Sequence, residues 1–283
     1  IGEDFADTQL LLDVPPDGGL AVSGRRNNLV VLRDGSSLEV LKEYRGLKGP
    51  VMDVALSPDG TWFVAGSRSG ACVWEVGDLR GPTELFAGHT GSVNTVAFSS
   101  DGRWLATTGA DHTARVWDAM TGSEMHQLAG PAGTRMTDAQ FATDDQSLIT
   151  AHGRQAQVWD TRSGELKRSF EGHTEEIRGI AVAPDGGRVA TIAGNNIRIW
   201  NPATGEEISS FVGDPREVYQ VVFFSDSKRL ASCGFGRPPT VWNSDTAEPL
   251  ITVDDSPGAR MISVSADGET VMTSWGNGRI RLW

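Results

Sequence analysis

An all-β fold of seven four-stranded antiparallel sheets is predicted, and three observations predict it. Six tryptophans (Trp74, Trp117, Trp159, Trp200, Trp242 and Trp283) close similar hydrophobic runs with a period of about 42 residues. A turn marker keeps the same phase: Asp17, Asp59, Asp101, Asp144, Asp185, Asp226 and Asp267 each precede the closing position of their repeat by a nearly constant interval. No segment carries a convincing helical period between these markers. One further period of about 42 residues back from Trp74 lands on Leu32 in "NLVVLRD", so the first of seven repeats carries Leu in place of Trp.

The elements of one repeat follow in order. Turns such as "SPDGT", "SSDGR" and "APDGG" sit between hydrophobic runs, and Asp-Gly so flanked signals a hairpin. Short strands lie on either side, for example "VNTVAFS" and "WLATTG". A third follows, such as "ARVWD" or "IRIWN", and in most repeats a fourth, such as "EMHQLAG" or "LKRSFEG". One such sheet cannot bury both of its faces, so neighbouring sheets must stack. A ring of stacked sheets is a β-propeller. Residues 1–283 are read as one domain of seven blades, and the 34 glycines suit its many tight turns.

Two further signals make the pattern specific. Gly88-His89 and Gly172-His173 stand at nearly the same distance before Trp117 and Trp200. Trp-Asp pairs stand at Trp117-Asp118 and Trp159-Asp160, with drifted forms at Trp74-Glu75, Trp200-Asn201 and Trp242-Asn243. The chain thereby resembles the WD-repeat (WD40) family over essentially its whole length, and its "PDG" turns resemble bacterial members. The resemblance implies a buried hydrogen-bond chain through His89, Thr107, Asp111 and Trp117. The fifth repeat supplies His173, Thr191 and Trp200, with Asn195 or Asn196 where Asp is expected. It also implies closure of the last blade by a strand from the other terminus, near Ile1 and Gly2. A His, a Thr and an Asp share their composition with a catalytic triad. A nucleophile needs an exposed, strained position and an oxyanion hole, whereas Thr107 falls within a strand, so the grouping is read as structural.

Composition narrows the function classes. A net charge of −12 repels nucleic acid and anionic lipid. No window nears the roughly twenty apolar residues of a membrane helix. Cys72 and Cys233 are too far apart in sequence for a metal motif and fall in hydrophobic runs, which fits buried thiols in a reducing compartment such as the cytoplasm. His112, His126 and His152 are expected on surface loops. Asp144-Asp145 and Asp254-Asp255 are too isolated for a calcium site. No cofactor, metal or catalytic set is expected. The chain starts at Ile1 and is read as a monomeric module cut from a larger protein.

The repeat phase also points to a partner-binding face. Residues entering each first strand are Leu10, Met52, Asn94, Thr137, Arg178, Tyr219 and Arg260. Those ending the second strands include Arg25, Arg68, Ala110, His152, Phe235 and Gly276 beside Trp275. Arg and aromatic residues are enriched at interface hot spots. Arg25, Arg68, Arg178, Tyr219, Phe235, Arg260 and Trp275 are therefore the candidate contacts, the aromatics as anchors and the arginines for carboxylate or phosphate. The expected function is a non-catalytic protein- or peptide-binding scaffold. The alternative is a sensor domain with a small ligand in the central channel, and an enzyme ranks third.

Overall fold

The computed structural model describes residues 11–13, 19–25, 28–35, 37, 39–77, 86–253, 258–265, 267–275 and 280–283. Every regular element among them is a strand, and the chain is a β-propeller of seven antiparallel blades. Blades one, three, four, five and six have four strands each. Blades two (Val51–Glu75) and seven (Ala259–Leu282) have three among the described residues, where four were expected. For blade two, residues 78–85, where a fourth strand would fall, lie outside them, as do Asp17, the proposed closing residues Ile1 and Gly2, and Asp254-Asp255.

The chain divides into two compact units, residues 7–141 with 161–164, and residues 1–6 with 142–160 and 165–283. Inside each, consecutive blades stack by sharing apolar clusters. In the first unit Val22, Val30, Val54, Phe63 and Trp74 pack between blades one and two, and Val64, Val73, Val96, Leu105 and Trp117 between two and three. In the second, Phe170, Ile177, Val189 and Trp200 join blade five to its predecessor, and Phe224, Val241, Ile262 and Val271 join six to seven. Polar side chains reach across the same gaps. The Val96 N–H donates to Asp53 Oδ2 at 2.9 Å, and the Ile262 N–H to Gln220 Oε1 at 2.9 Å.

Each turn marker works by the same local chemistry. The carboxylates of Asp59, Asp101, Asp144, Asp185, Asp226 and Asp267 each accept the backbone N–H two residues on. Such a turn mimics a backbone turn and drives the next residue into the left-handed region. That residue is Gly60, Gly102, Gly186 or Gly268 at φ 68–70°, and where Gly is missing Asp145 (φ 55°) and Ser227 (φ 59°) take its place. Asn201 and Asn243 accept two N–H bonds each in the next turn, where Asp118 accepts a backbone N–H and a hydroxyl. The drift from Trp-Asp to Trp-Asn therefore costs little, because this position only accepts.

The register corrects one assignment. A bulge separates third and fourth strands before Trp117, Trp159, Trp200 and Trp242. In blade one it falls before Arg33, so Arg33, and not Leu32, stands at the Trp position. Asp34, the residue after it, caps its turn as Asp118 does. The interval between closing positions varies by a residue from repeat to repeat, and the first one is short.

The indole N–H of the closing Trp is bonded to a hydroxyl on the second strand, two places beyond its own ladder partner. Trp117 donates to Thr107 (2.9 Å), Trp159 to Thr150 (2.8 Å), Trp200 to Thr191 (2.8 Å), Trp242 to Ser232 (2.8 Å) and Trp283 to Thr273 (3.0 Å). Blade two has Ala65 at that place, and the buried Trp74 N–H has no acceptor among the described residues. Ala65→Ser is expected to supply one and to raise stability by about 1 kcal/mol, the usual net contribution of such a bond. Equilibrium urea unfolding checks this, and a lowered midpoint would mean that the site has no room for the hydroxyl.

Candidate functional site

Blade three brings His89, Thr107, Asp111 and Trp117 together. Both ring nitrogens of His89 are engaged: Nδ1 lies 3.0 Å from the Asp111 carboxylate and Nε2 2.8 Å from Thr107 Oγ1. With Trp117 donating to the same hydroxyl, one direction of donation satisfies every group: indole N–H to Thr107, Thr107 O–H to Nε2, Nδ1–H to Asp111. Asp111 also accepts from the Thr90 N–H and the Thr113 hydroxyl. Burial pushes the Asp111 carboxyl up, but the His89, Thr90 and Thr113 donors outweigh it and hold it down at about 2. Burial lowers His89, with Asp111 opposing. The packing is tight enough that a Cβ on Gly109 would collide with the His89 ring. Thr107 is 1% exposed, so its hydroxyl cannot meet a substrate, and this grouping bonds the sheet to its turn.

Blade five repeats half of this chain. His173 Nε2 lies 2.8 Å from Thr191 Oγ1, which accepts from Trp200. Burial, helped by the charge of Arg198, pushes the His173 imidazole down to about 4. Blade six inverts it. Gly213-Asp214 stands at the Gly-His phase, so a carboxylate occupies the place of the imidazole. Asp214 is 1% exposed and accepts four backbone N–H groups, from Arg216 (2.7 Å) and Glu217 (3.0 Å) on one loop and Gly236 (2.9 Å) and Arg237 (2.7 Å) on another. The sequence motifs do not single out Asp214 or its role, although its place one repeat after His173 is there to be read.

The partner-face residues are placed by a second series of bulges. Met52, Asn94, Arg178, Tyr219 and Arg260 each sit where two residues of the first strand face one of the second. Bulges re-aim side chains out of the ladder. Arg68, Arg178 and Arg260 are exposed, and Phe235 is 49% exposed. The structure joins several of them. Arg178 pairs with Glu217, whose carbonyl accepts the Phe235 N–H. Gly234 next to Phe235 accepts from Gly258, and Arg260 lies over the Tyr219 ring at 5.8 Å. Arg68 belongs to the other compact unit. The Arg25 side chain, Leu10 and Gly276 lie outside the described residues.

Tyr219 and Trp275 are only half-exposed, and both pack against the core between blades six and seven. They are half-buried gap fillers, whereas Phe235 is exposed outright. His152, expected in a surface loop, is fully buried. Its turn has only two residues, Gly153 and Arg154, so the second strand (Ser147–His152) carries the ring inside, and burial lowers its pKa. His126, expected likewise, sits half-buried in a fourth strand (Glu124–Ala129), while His112 is exposed in a turn. No disulfide joins Cys72 and Cys233, and burial pushes the Cys233 thiol up to about 12. No group of three metal-ligating side chains occurs among the described residues.

Against known proteins, the family described as WD domain, G-beta repeat matches residues 38–75, 81–118 and 164–201. Protein tipD of Dictyostelium discoideum is 30% identical over 74 residues, covering 26% of this chain and 12% of tipD. Autophagy-related protein 16 of Arabidopsis thaliana is 22% identical over 180 residues, covering 63% of this chain and 27% of that protein. A guanine nucleotide-binding protein subunit beta of Schizosaccharomyces pombe is 30% identical over 84 residues, covering 29% of this chain and 28% of the subunit. The similarity thus spans under a third of each relative.

Loss of the charge at the blade-three turn, in Asp111→Asn, is expected to cost about 2 kcal/mol at neutral pH. Because the folded carboxyl is held down at about 2, the native chain loses that advantage as pH falls through the acid range, which urea unfolding of both proteins at stepped pH would read. His173 behaves differently. Its folded pKa of about 4 lies below the free imidazole value, so the unfolded chain takes up a proton first. Stability is expected to fall as pH drops from about 6.5 towards the folded value, and His173→Asn to flatten that slope. An unchanged slope would show that other groups set it.

Proposed function

We propose, from the premise that this chain is a WD-repeat propeller, that it works as a non-catalytic scaffold binding a protein or peptide partner. One observation carries the reading: on blades five to seven the bulge residues Arg178 and Arg260 and the loop residue Phe235 are exposed, beside the half-exposed rings of Tyr219 and Trp275. An aromatic exposed among arginines is the composition of an interface hot spot. The relatives support the same direction. One is by name a subunit of a guanine nucleotide-binding protein, hence a part of an assembly, and all three are longer than the segments they share with this chain. The reading further makes the chain a module of a larger bacterial protein working in the cytoplasm. Its non-catalytic side is supported by the burial of the Thr-His-Asp grouping in blade three, Thr107 with His89 and Asp111.

The test compares the native chain with a Phe235→Ala, Arg260→Ala variant in affinity capture from lysate of the source organism. Both side chains are exposed, so the variant is expected to melt at the native temperature. A protein retained by the native chain and lost by the variant is the expected result. Absence of any captured protein would sink the scaffold reading.

A further inference from the structure

On an acidic chain, the loops of blade six and the first strand of blade seven place arginines over aromatic rings. Arg216 lies over Phe235 at 5.0 Å, Arg237 over Trp242 at 5.2 Å and Arg260 over Tyr219 at 5.8 Å. Arg216 and Arg260 are exposed and Arg237 is half-buried. Most of the other charged residues nearby are already engaged. Glu217 pairs with Arg178, and Asp214 lies buried with its carboxylate turned to backbone N–H groups. Among the described residues, no carboxylate stands within ion-pair distance of Arg216, Arg237 or Arg260. A net charge of −12 makes three such arginines in one place a local reversal of sign.

We infer that this surface takes an acidic peptide, one that alternates carboxylate or phosphate groups with apolar side chains. A guanidinium stacked on a ring keeps its N–H edge open, and that edge matches a carboxylate or a phosphate in two parallel hydrogen bonds. Stacking also restrains the long side chain before binding, which lowers the entropy cost of using it. Asp214 extends that restraint to the backbone. By holding the N–H groups of residues 216, 217, 236 and 237 it ties the Arg216 loop to the loop that carries Phe235 and Arg237. It is a positioning residue for the patch. The exposed Phe235 ring gives an apolar side chain of the peptide somewhere to rest between the charges. The field of the remaining acidic surface opposes a long polyanion but not a short peptide that touches only this rim.

This assignment rests on the scaffold reading and is tested separately from it. The probe is a fluorescein-labelled peptide of alternating Glu and Phe, compared with its Gln-Phe and Lys-Phe counterparts, a phosphoserine-Phe version and oligodeoxythymidylate, by fluorescence anisotropy. The Glu or the phosphoserine peptide is expected to bind about tenfold or more tighter than the Gln peptide, to weaken with salt, and to lose that advantage in Arg216→Glu, Arg260→Glu. The Glu and phosphoserine arms separate the two sources of the same anionic oxygens. Arg216→Lys, which keeps the charge but not the fork, is expected to fall between the two. Equal binding of the Glu, phosphoserine and Gln peptides, an undiminished Glu-peptide affinity in the double variant, or tighter binding of the oligonucleotide than of any peptide would each overturn the assignment. A lysate protein held equally by the native chain and the double variant would also overturn it, while leaving the scaffold reading intact.

Discussion

The bond from an indole N–H to a hydroxyl on the neighbouring strand is the constraint on which blades three to seven depend. The Trp that closes the third strand is large, and in blades three to six it is buried, so its N–H needs an acceptor where no water reaches. A Thr or Ser of the second strand supplies it in blades three to seven. The bond fixes the register of the two central strands. Register in turn decides which side chains enter the cluster shared with the next blade. The hydroxyl still has its own proton to give, and the identity of the receiver divides the blades. His89 and His173 receive it in blades three and five.

Two irregularities in the ladder then turn a stack of sheets into a surface. The bulge before the closing Trp bends the outer strand, and the bulge at the start of the first strand re-aims one side chain in each of blades two, three, five, six and seven. A bulge leaves one residue out of the pairing, so its side chain answers to no neighbour across the ladder. Arg178 and Arg260 occupy such places and are exposed, so they stand outside the core that stacks beneath them.

Much of this is legible in the sequence because the signals are periodic and local. The Trp spacing, the Asp turns and the Gly-His pairs each follow from chemistry that repeats once per blade, and they locate the strands to within a residue or two. The errors fall where a hairpin changes length. A constant period puts Leu32 at the Trp position, but the repeat there is a residue shorter. The same phase puts His152 outside, but its turn lacks the third residue that places Asp111 and His112 beyond the ladder in blade three. Phase alone also does not say which aromatics face water. Phe235 follows the second strand and is exposed, whereas Tyr219 and Trp275 turn one face to the core. That difference is set by the neighbouring blade and is not local.

Blade six shows why a lost motif can mark a gained role. An imidazole at the Gly-His position bonds a hydroxyl on one side and a carboxylate on the other, and both bonds stay within the blade's own second strand and turn. A carboxylate at the same position cannot donate, so it must gather donors, and the nearest are backbone N–H groups of the two flanking loops. Replacing His by Asp214 therefore moves the hydrogen bonds from the core of the blade to its rim. Trp242 and Ser232 keep their own bond without it. The loops so fixed carry Arg216, Phe235 and Arg237, and the departure from the repeat lies directly beneath the side chains that could meet a partner.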